Sequence, residues 1–343
     1  MIDSWLLEHL ACPQSGEALE LRGDSLCSRS GARYPLVDGV PVLLRDDVPQ
    51  TIWMAKASLQ AARNAAAGRG DDDWFLETLG VSDEERELAR RLRTEPSQVV
   101  DAVVAVLVAA TNGNLYRGLI GRLNDVPVPD LRLAAGGGRP FLDIGCSWGR
   151  WSVAAAQKGY HVVGIDPSLG AVMAARRMCA RLGCKAQFVV GDARFLPFQA
   201  ATFGNVFSYS VVQHFSRTDA RRTLGEIGRV LTHEGESFIQ MPNVYGARCF
   251  YNLMRRGFRE GHGFEVRFWR PGELLSTFER LIGPTRLSVD SYFGLGLQPA
   301  DAHLLPPGYR WLIARSEWLR RQAQWCRPLA YLADSVYLTS TRP

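Results

Sequence analysis

Lysine is nearly missing from this chain of 343 residues: Lys56, Lys158 and Lys185 are the only three among 40 basic side chains, and the rest are arginine. Such a skew is more simply a GC-rich coding bias than a phosphate-binding device, so the net charge of +5 does not itself point to nucleic acid. Long apolar runs are lacking too. The longest, Ala102 to Ala110, is nine residues and cannot span a bilayer. The opening Met1-Ile2-Asp3-Ser4-Trp5 has no basic segment followed by an apolar core, so no signal peptide is expected. Seven cysteines, an odd number at irregular spacing, argue against a disulfide framework and for a reducing, cytoplasmic setting. A third glycine at the spacing G-x-G-x-x-G is absent as well, which argues against a standard dinucleotide fingerprint.

What is present is the composition of a globular protein, 46% hydrophobic and 22% charged, long enough for two or three domains. The chain is organised around Phe141-Leu142-Asp143-Ile144-Gly145-Cys146-Ser147-Trp148-Gly149-Arg150-Trp151. A short apolar strand ends in an acid, a turn carries two glycines, and a helix follows. Such a turn lets a ligand approach the backbone, the helix N-terminus offers free N–H groups, and Asp143 can accept from a cationic amino group. A second strand, Tyr160 to Asp166, again ends in an acid, at the spacing where a βαβ unit places a carboxylate on ribose hydroxyls. Strands at Ala186–Val190, Val206–Phe215 and Glu236–Met241 follow, with helical patterns at Leu169–Leu182 and Thr218–Leu231. The alternation implies a parallel, doubly wound sheet with its ligand at the strands' C-terminal ends.

The run from Phe141 to Asn243 resembles a class I S-adenosylmethionine-dependent methyltransferase through four motifs in order: LDIGCSWGRW, VVGIDPS, VVGDARFLPF and FSYSVVQHF. The resemblance implies an α/β, Rossmann-like, doubly wound and mostly parallel sheet with an antiparallel last strand, and S-adenosylmethionine as cofactor. It places Asp143, Gly145 and Gly149 at the methionine end, with Cys146 as a small turn residue rather than a nucleophile. It places Asp166, followed by Pro167, at the ribose, and Asp192 with Ala193 at the adenine. Ser208, at the end of the fourth strand, joins the cofactor set. The family often has Phe-Asp before that strand, whereas this chain has Phe203-Gly204, a departure that bears on strand packing.

Residues 1–47 read as a small domain with strands around 19–21, 25–28 and 41–44, and a core from Tyr34, Leu36, Val40 and Val42. The stretch resembles the zinc-ribbon-like proteins that act as methyltransferase partners or activators. A zinc-binding member would carry two C-x-x-C pairs, but here they read Cys12-x-x-Ser15 and Cys27-x-x-Ser30, so the domain is expected to be metal-free. Residues 48–135 read as a helical linker and roof, with a capping box at Ser82-x-x-Glu85 and a flexible joint at 68–73. Tyr116 is either a residue touching the cofactor or a packing tyrosine. Residues 136–245 are the cofactor-binding core, and residues 246–343 hold an acceptor-side insert, the last strands and C-terminal helices.

Transfer from a sulfonium is an in-line displacement that needs a base only when the acceptor is protonated. His214, past the fourth strand, and His262, in a glycine-rich loop beside Glu265, are the candidates, and for His214 a structural role is the competing reading. Glycines 257, 261 and 263 suit a mobile lid over that edge. The expected activity is methyl transfer to a small-molecule or glycan-type acceptor. An RNA acceptor is the alternative, disfavoured because the fourth motif is Ser208-Tyr209-Ser210-Val211 and no nucleic-acid module is recognisable. A non-catalytic scaffold is the third reading, opposed by the three intact acids. The oligomeric state is left open.

Overall fold

A computed structural model describes residues 2–69, 73–95, 100–294 and 296–343. Residues 70–72 of the expected joint and the start of the apolar helix at position 99 lie outside the described residues. The chain divides into two compact units, residues 1–202 and 203–343.

The first unit opens with helix α1 (Ser4–His9), capped by Asp3, whose carboxylate accepts from the N–H groups of Trp5 and Leu6. Strands β1 (Glu20–Arg22), β2 (Ser25–Cys27), β3 (Arg33–Val37) and β4 (Val40–Pro41) form a small antiparallel sheet in that order. Strand β3 was not among the expected strands; its Pro35 lies in the ladder opposite Ser25. The turn at Asp38–Gly39 pairs Val37 with Val40 and buries Val37, while Leu36 is only half-buried. Tyr34, Val40 and Val42 are buried as expected.

This module does not keep its core to itself. Val42 bridges to Val190 in parallel, Leu43 N–H donates to the Val190 carbonyl at 2.7 Å, and Val37, Val40, Val42 and Leu44 pack with Val172, Ala175, Phe188 and Val190. Helices α2 (Trp53–Ala66), α3 (Asp83–Arg93) and α4 (Ala102–Asn112) follow, with a 3-10 turn at Trp74–Thr78 between the first two. Both halves of the capping box form: Ser82 N–H donates to Glu85 Oε2, and Glu85 N–H to Ser82 Oγ.

Strands β5 (Pro140–Ile144), β6 (His161–Asp166) and β7 (Ala186–Val190) are parallel neighbours in that order, linked by α5 (Arg150–Gln157) and α6 (Leu169–Arg181). They are apolar almost throughout, as strands covered on both faces must be.

The second unit contains β8 (Phe203–Ser208), α7 (Arg217–Val230), β9 (Leu231–Pro242), α8 (Ala247–Arg255), α9 (Pro271–Leu281), β10 (Thr285–Ser291), α10 (Pro307–Gln322), α11 (Arg327–Ala330) and β11 (Ser335–Thr341). β8 and β9 are parallel, and β11 runs antiparallel to both β9 and β10. β8 stops at Ser208, short of the expected Phe215, because Ser210 takes φ 60° and the chain enters a 3-10 turn at Val212–His214. The fold class is α/β: Rossmann-like, mostly parallel, with an antiparallel last strand and a small antiparallel N-terminal domain.

Candidate functional site

The turn after β5 passes through left-handed conformations at Gly145 (φ 74°), Ser147 (φ 45°) and Gly149 (φ 85°). Position 149 demands glycine for space as well, since a Cβ there would lie 2.9 Å from the Ala175 Cβ. The turn is tied to the end of β6: the Gly145 and Cys146 N–H groups donate to the Ile165 carbonyl, and Ser147 N–H to Asp166 Oδ2 at 3.0 Å. Burial pushes the Cys146 thiol well above its ordinary value.

Asp143 is buried, and Ser152 Oγ, one turn into α5, donates to its Oδ2 at 2.7 Å. Its Oδ1 is buried and makes no hydrogen bond. Burial, reinforced by the charge of Asp166, lifts the Asp143 carboxyl to about 7. A buried oxygen without a donor is costly unless a ligand supplies one. A cationic amino group fits that need.

Asp166 accepts from Ser147 N–H on one oxygen and Ser168 N–H on the other, at 3.0 and 2.9 Å. Burial raises it to about 6. Each carboxylate oxygen keeps acceptor capacity for a hydroxyl. The residues that follow, beginning with half-buried Pro167, are held by the roof: Leu169 N–H donates to Ser58 Oγ, Gly170 N–H to Thr78 Oγ1, and Ser168 Oγ to the Thr78 carbonyl. The third strand end joins them, since Gly191 N–H donates to the Asp166 carbonyl at 3.2 Å.

Asp192 is arranged differently from an open adenine reader. Arg194 grips both its oxygens, from Nε at 3.2 and 3.0 Å and from Nη2 at 2.7 Å, and the same Nη2 donates to the Pro49 carbonyl at 2.8 Å. Arg45 lies over the Phe195 ring at 4.4 Å. Arg45 of the N-terminal module and Pro49 just after it therefore brace this turn directly, a role no motif announced. Ala193 is buried beside it. Tyr116 is fully buried in the 3-10 turn after α4.

In the second unit Ser208 is buried at the end of β8. Next to it lies a buried network missed from the sequence. Tyr209 OH and Ser335 Oγ donate to Asp290 Oδ2 at 2.8 and 2.7 Å, Gln298 donates to Tyr209 OH, and Gln240 links Ser335 to the Ser210 N–H. Its members are scattered from Tyr209 to Ser335, so spacing gave no signal. His214 stacks on Phe264 at 4.0 Å, with Nδ1 2.7 Å from the Phe264 carbonyl and Nε2 facing the Gln213 amide. Burial drops it to about 4, so the ring is neutral near pH 7 and a weak base. His262 is exposed, and its link to Glu265 runs through its backbone N–H rather than its ring. Glu265 itself is held down to about 2 by Arg259 and that N–H.

In the N-terminal module Cys12 lies 3.3 Å from Tyr34 OH, and Ser15 and Ser30 both donate to the one oxygen Glu17 Oε2, at 3.1 and 2.7 Å. Burial works to raise the Cys12 thiol, but hydrogen bonds from Ser15, Tyr34 and nearby backbone bring it below its ordinary value. Among the described residues no group of three or more His, Cys, Asp or Glu is placed to hold a metal.

Comparison with known proteins meets this geometry from both ends. A methyltransferase-domain family profile matches residues 141–235. Over 147 residues the chain is 31% identical to a ubiquinone biosynthesis O-methyltransferase of Aromatoleum aromaticum, covering 40% of this chain and 60% of that protein. At the N-terminus it is 46% identical over 48 residues to a UPF0434 protein of Vesicomyosocius okutanii, 14% of this chain and 81% of the relative. The chain carries a class I methyltransferase domain behind an N-terminal UPF0434 family segment. S-adenosylmethionine is the cofactor of that domain. The structure is also similar to a complex of a methyltransferase activator with a methyltransferase from Haloferax volcanii, at 16% identity, 77% of this chain, 98% of the matched chain and TM-score 0.43. Among the described residues no helix is long and apolar enough to cross a membrane.

Proposed function

We propose that the protein transfers the methyl group of S-adenosylmethionine to a hydroxyl of a small molecule. The single observation that carries the cofactor half is the unpaired, buried Asp143 Oδ1 at the glycine turn, with Asp166 one strand away. In this reading Asp143, Gly145, Cys146 and Gly149 hold the methionine end, and Asp166 and Pro167 the ribose. Ala193 and the braced Asp192 line the adenine. The bound cofactor supplies an electrophilic methyl on a sulfonium, so the chain's task is alignment and exclusion of water. His214, neutral near pH 7 and a weak base, is given no proton-transfer role in this reading. The hydroxyl acceptor rests on the likeness to an O-methyltransferase relative, of whose length the chain covers 60%.

The test uses isotope-labelled S-adenosylmethionine with a panel of phenolic, sugar and unmodified RNA acceptors. Label should enter a hydroxylated small molecule. Label entering RNA alone, or no binding of S-adenosylhomocysteine by calorimetry, would overturn the reading.

A further inference from the structure

The second unit carries two helices whose apolar faces point outward. Helix α8 buries only Cys249, while Phe250, Tyr251 and Met254, spaced as one helical stripe, are exposed. Phe258 extends that stripe past the helix end, its ring 6.0 Å from that of Phe250. On α10 the buried residues are Ile313 and Ser316, and the outer stripe is Trp311, Arg315, Trp318 and Gln322. Trp325 continues it at the same seven-residue step. Trp311, Trp318 and Trp325 are 61%, 55% and 89% exposed, and Tyr331 and Leu332 follow them on the surface.

The charge around both stripes is mainly positive, although Arg259 pairs with Glu265. Residues 247–259 hold four arginines and no acid. Residues 307–332 hold five arginines and one acid, Glu317, which is paired with Arg320. Arg315 lies over Trp311 at 5.4 Å and Arg255 over Tyr251 at 5.9 Å, so the cations flank the aromatic rings. An amphipathic helix with Trp and Phe on its apolar side and arginines beside them suits a bilayer interface, where the rings enter the headgroup region and the guanidinium groups meet anionic lipid.

We infer that the second unit docks on an anionic phospholipid surface through α8 and α10. An isologous contact between two copies would set arginine against arginine, which disfavours self-association. Met254 and Leu332 offer nothing to a nucleic acid that stacks and hydrogen-bonds, whereas an acyl boundary takes them readily. The contact is peripheral, in keeping with the lack of a spanning helix among the described residues.

The experiment is co-sedimentation of the full chain with vesicles of equal phosphatidylglycerol and phosphatidylcholine, against vesicles of phosphatidylcholine alone. Pelleting should need the anionic lipid, weaken in high salt, and shift tryptophan emission to the blue. The combined variant Trp311→Ser, Trp318→Ser, Trp325→Ser, and separately Arg248→Glu with Arg315→Glu, should each bind about tenfold more weakly. All five positions are exposed, so thermal unfolding should be unchanged, and that control is measured alongside. No pelleting with the anionic vesicles, or equal binding by both variants, overturns the inference. So does a chain that ignores vesicles but binds an RNA oligonucleotide or forms a dimer that the tryptophan variant abolishes.

Discussion

Replacing Asp143 by Asn probes the cofactor turn through two independent readouts. The carboxyl is buried, stands at about 7, and has one oxygen without a donor. An amino group of the ligand favours the ionised form, so affinity for S-adenosylhomocysteine should be flat above about pH 7. Below that it should fall about tenfold per pH unit, the equivalent of roughly 1.4 kcal/mol. Below about 6 the fall should steepen, because Asp166 then takes up a proton too. Folding stability has the opposite sign. A carboxyl raised above its unfolded value near 3.9 holds a proton in the native state that the unfolded chain has released. Stability should therefore decline as pH rises from about 4 to about 7, by on the order of 4 kcal/mol for a shift of this size. In Asp143→Asn the upper break in the binding profile should vanish, leaving the one near 6, and stability at neutral pH should rise relative to acid. Calorimetry across pH and urea unfolding at each pH measure both. Identical binding and stability profiles in wild type and Asp143→Asn would refute the reasoning.

Arg194→Met should destabilise the fold by about 3–5 kcal/mol, because it strands the buried Asp192 carboxylate. Urea unfolding measures that loss, and adding Asp192→Leu should recover most of it while S-adenosylhomocysteine binding by calorimetry stays weak. Asp290→Asn replaces the charged acceptor of Tyr209 and Ser335 and should cost about 1.5–3 kcal/mol in urea unfolding, with cofactor affinity unchanged. Elemental analysis of protein purified without chelator should find no stoichiometric zinc, and Ser15→Cys with Ser30→Cys should raise the zinc content.

Local pattern revealed what local pattern builds. Asp143, Gly145, Gly149 and Asp166 were legible because a strand, a tight turn and a helix are short-range constructions, and their acids fall at fixed steps from the glycines. The capping box at Ser82 and Glu85 was legible for the same reason. What escaped depends on contacts between distant parts of the chain. Arg194 could be read as a basic residue near an acid, but not as a clamp that also reaches Pro49. The Tyr209–Asp290–Ser335 network joins the residue after β8 to β10 and β11, and its polarity resembles ordinary surface polarity until the fold buries it.

The N-terminal module joins two turns through a carboxylate. The two positions where thiolates would stand, Ser15 and Ser30, converge on Glu17 Oε2. A carboxylate accepting from two hydroxyls and from the Ser30 N–H ties together the same two turns that a metal would tie. Because Glu17 is only half-buried, this tie is weaker than a tetrahedral metal site. The module also shares its core: Val37, Val40, Val42 and Leu44 bury themselves against α6 and β7. That merger in turn brings Pro49 and Arg45 to the turn that carries Asp192 and Phe195. The segment that joins its two turns through a hydrogen-bonded acid thus also braces the turn after β7.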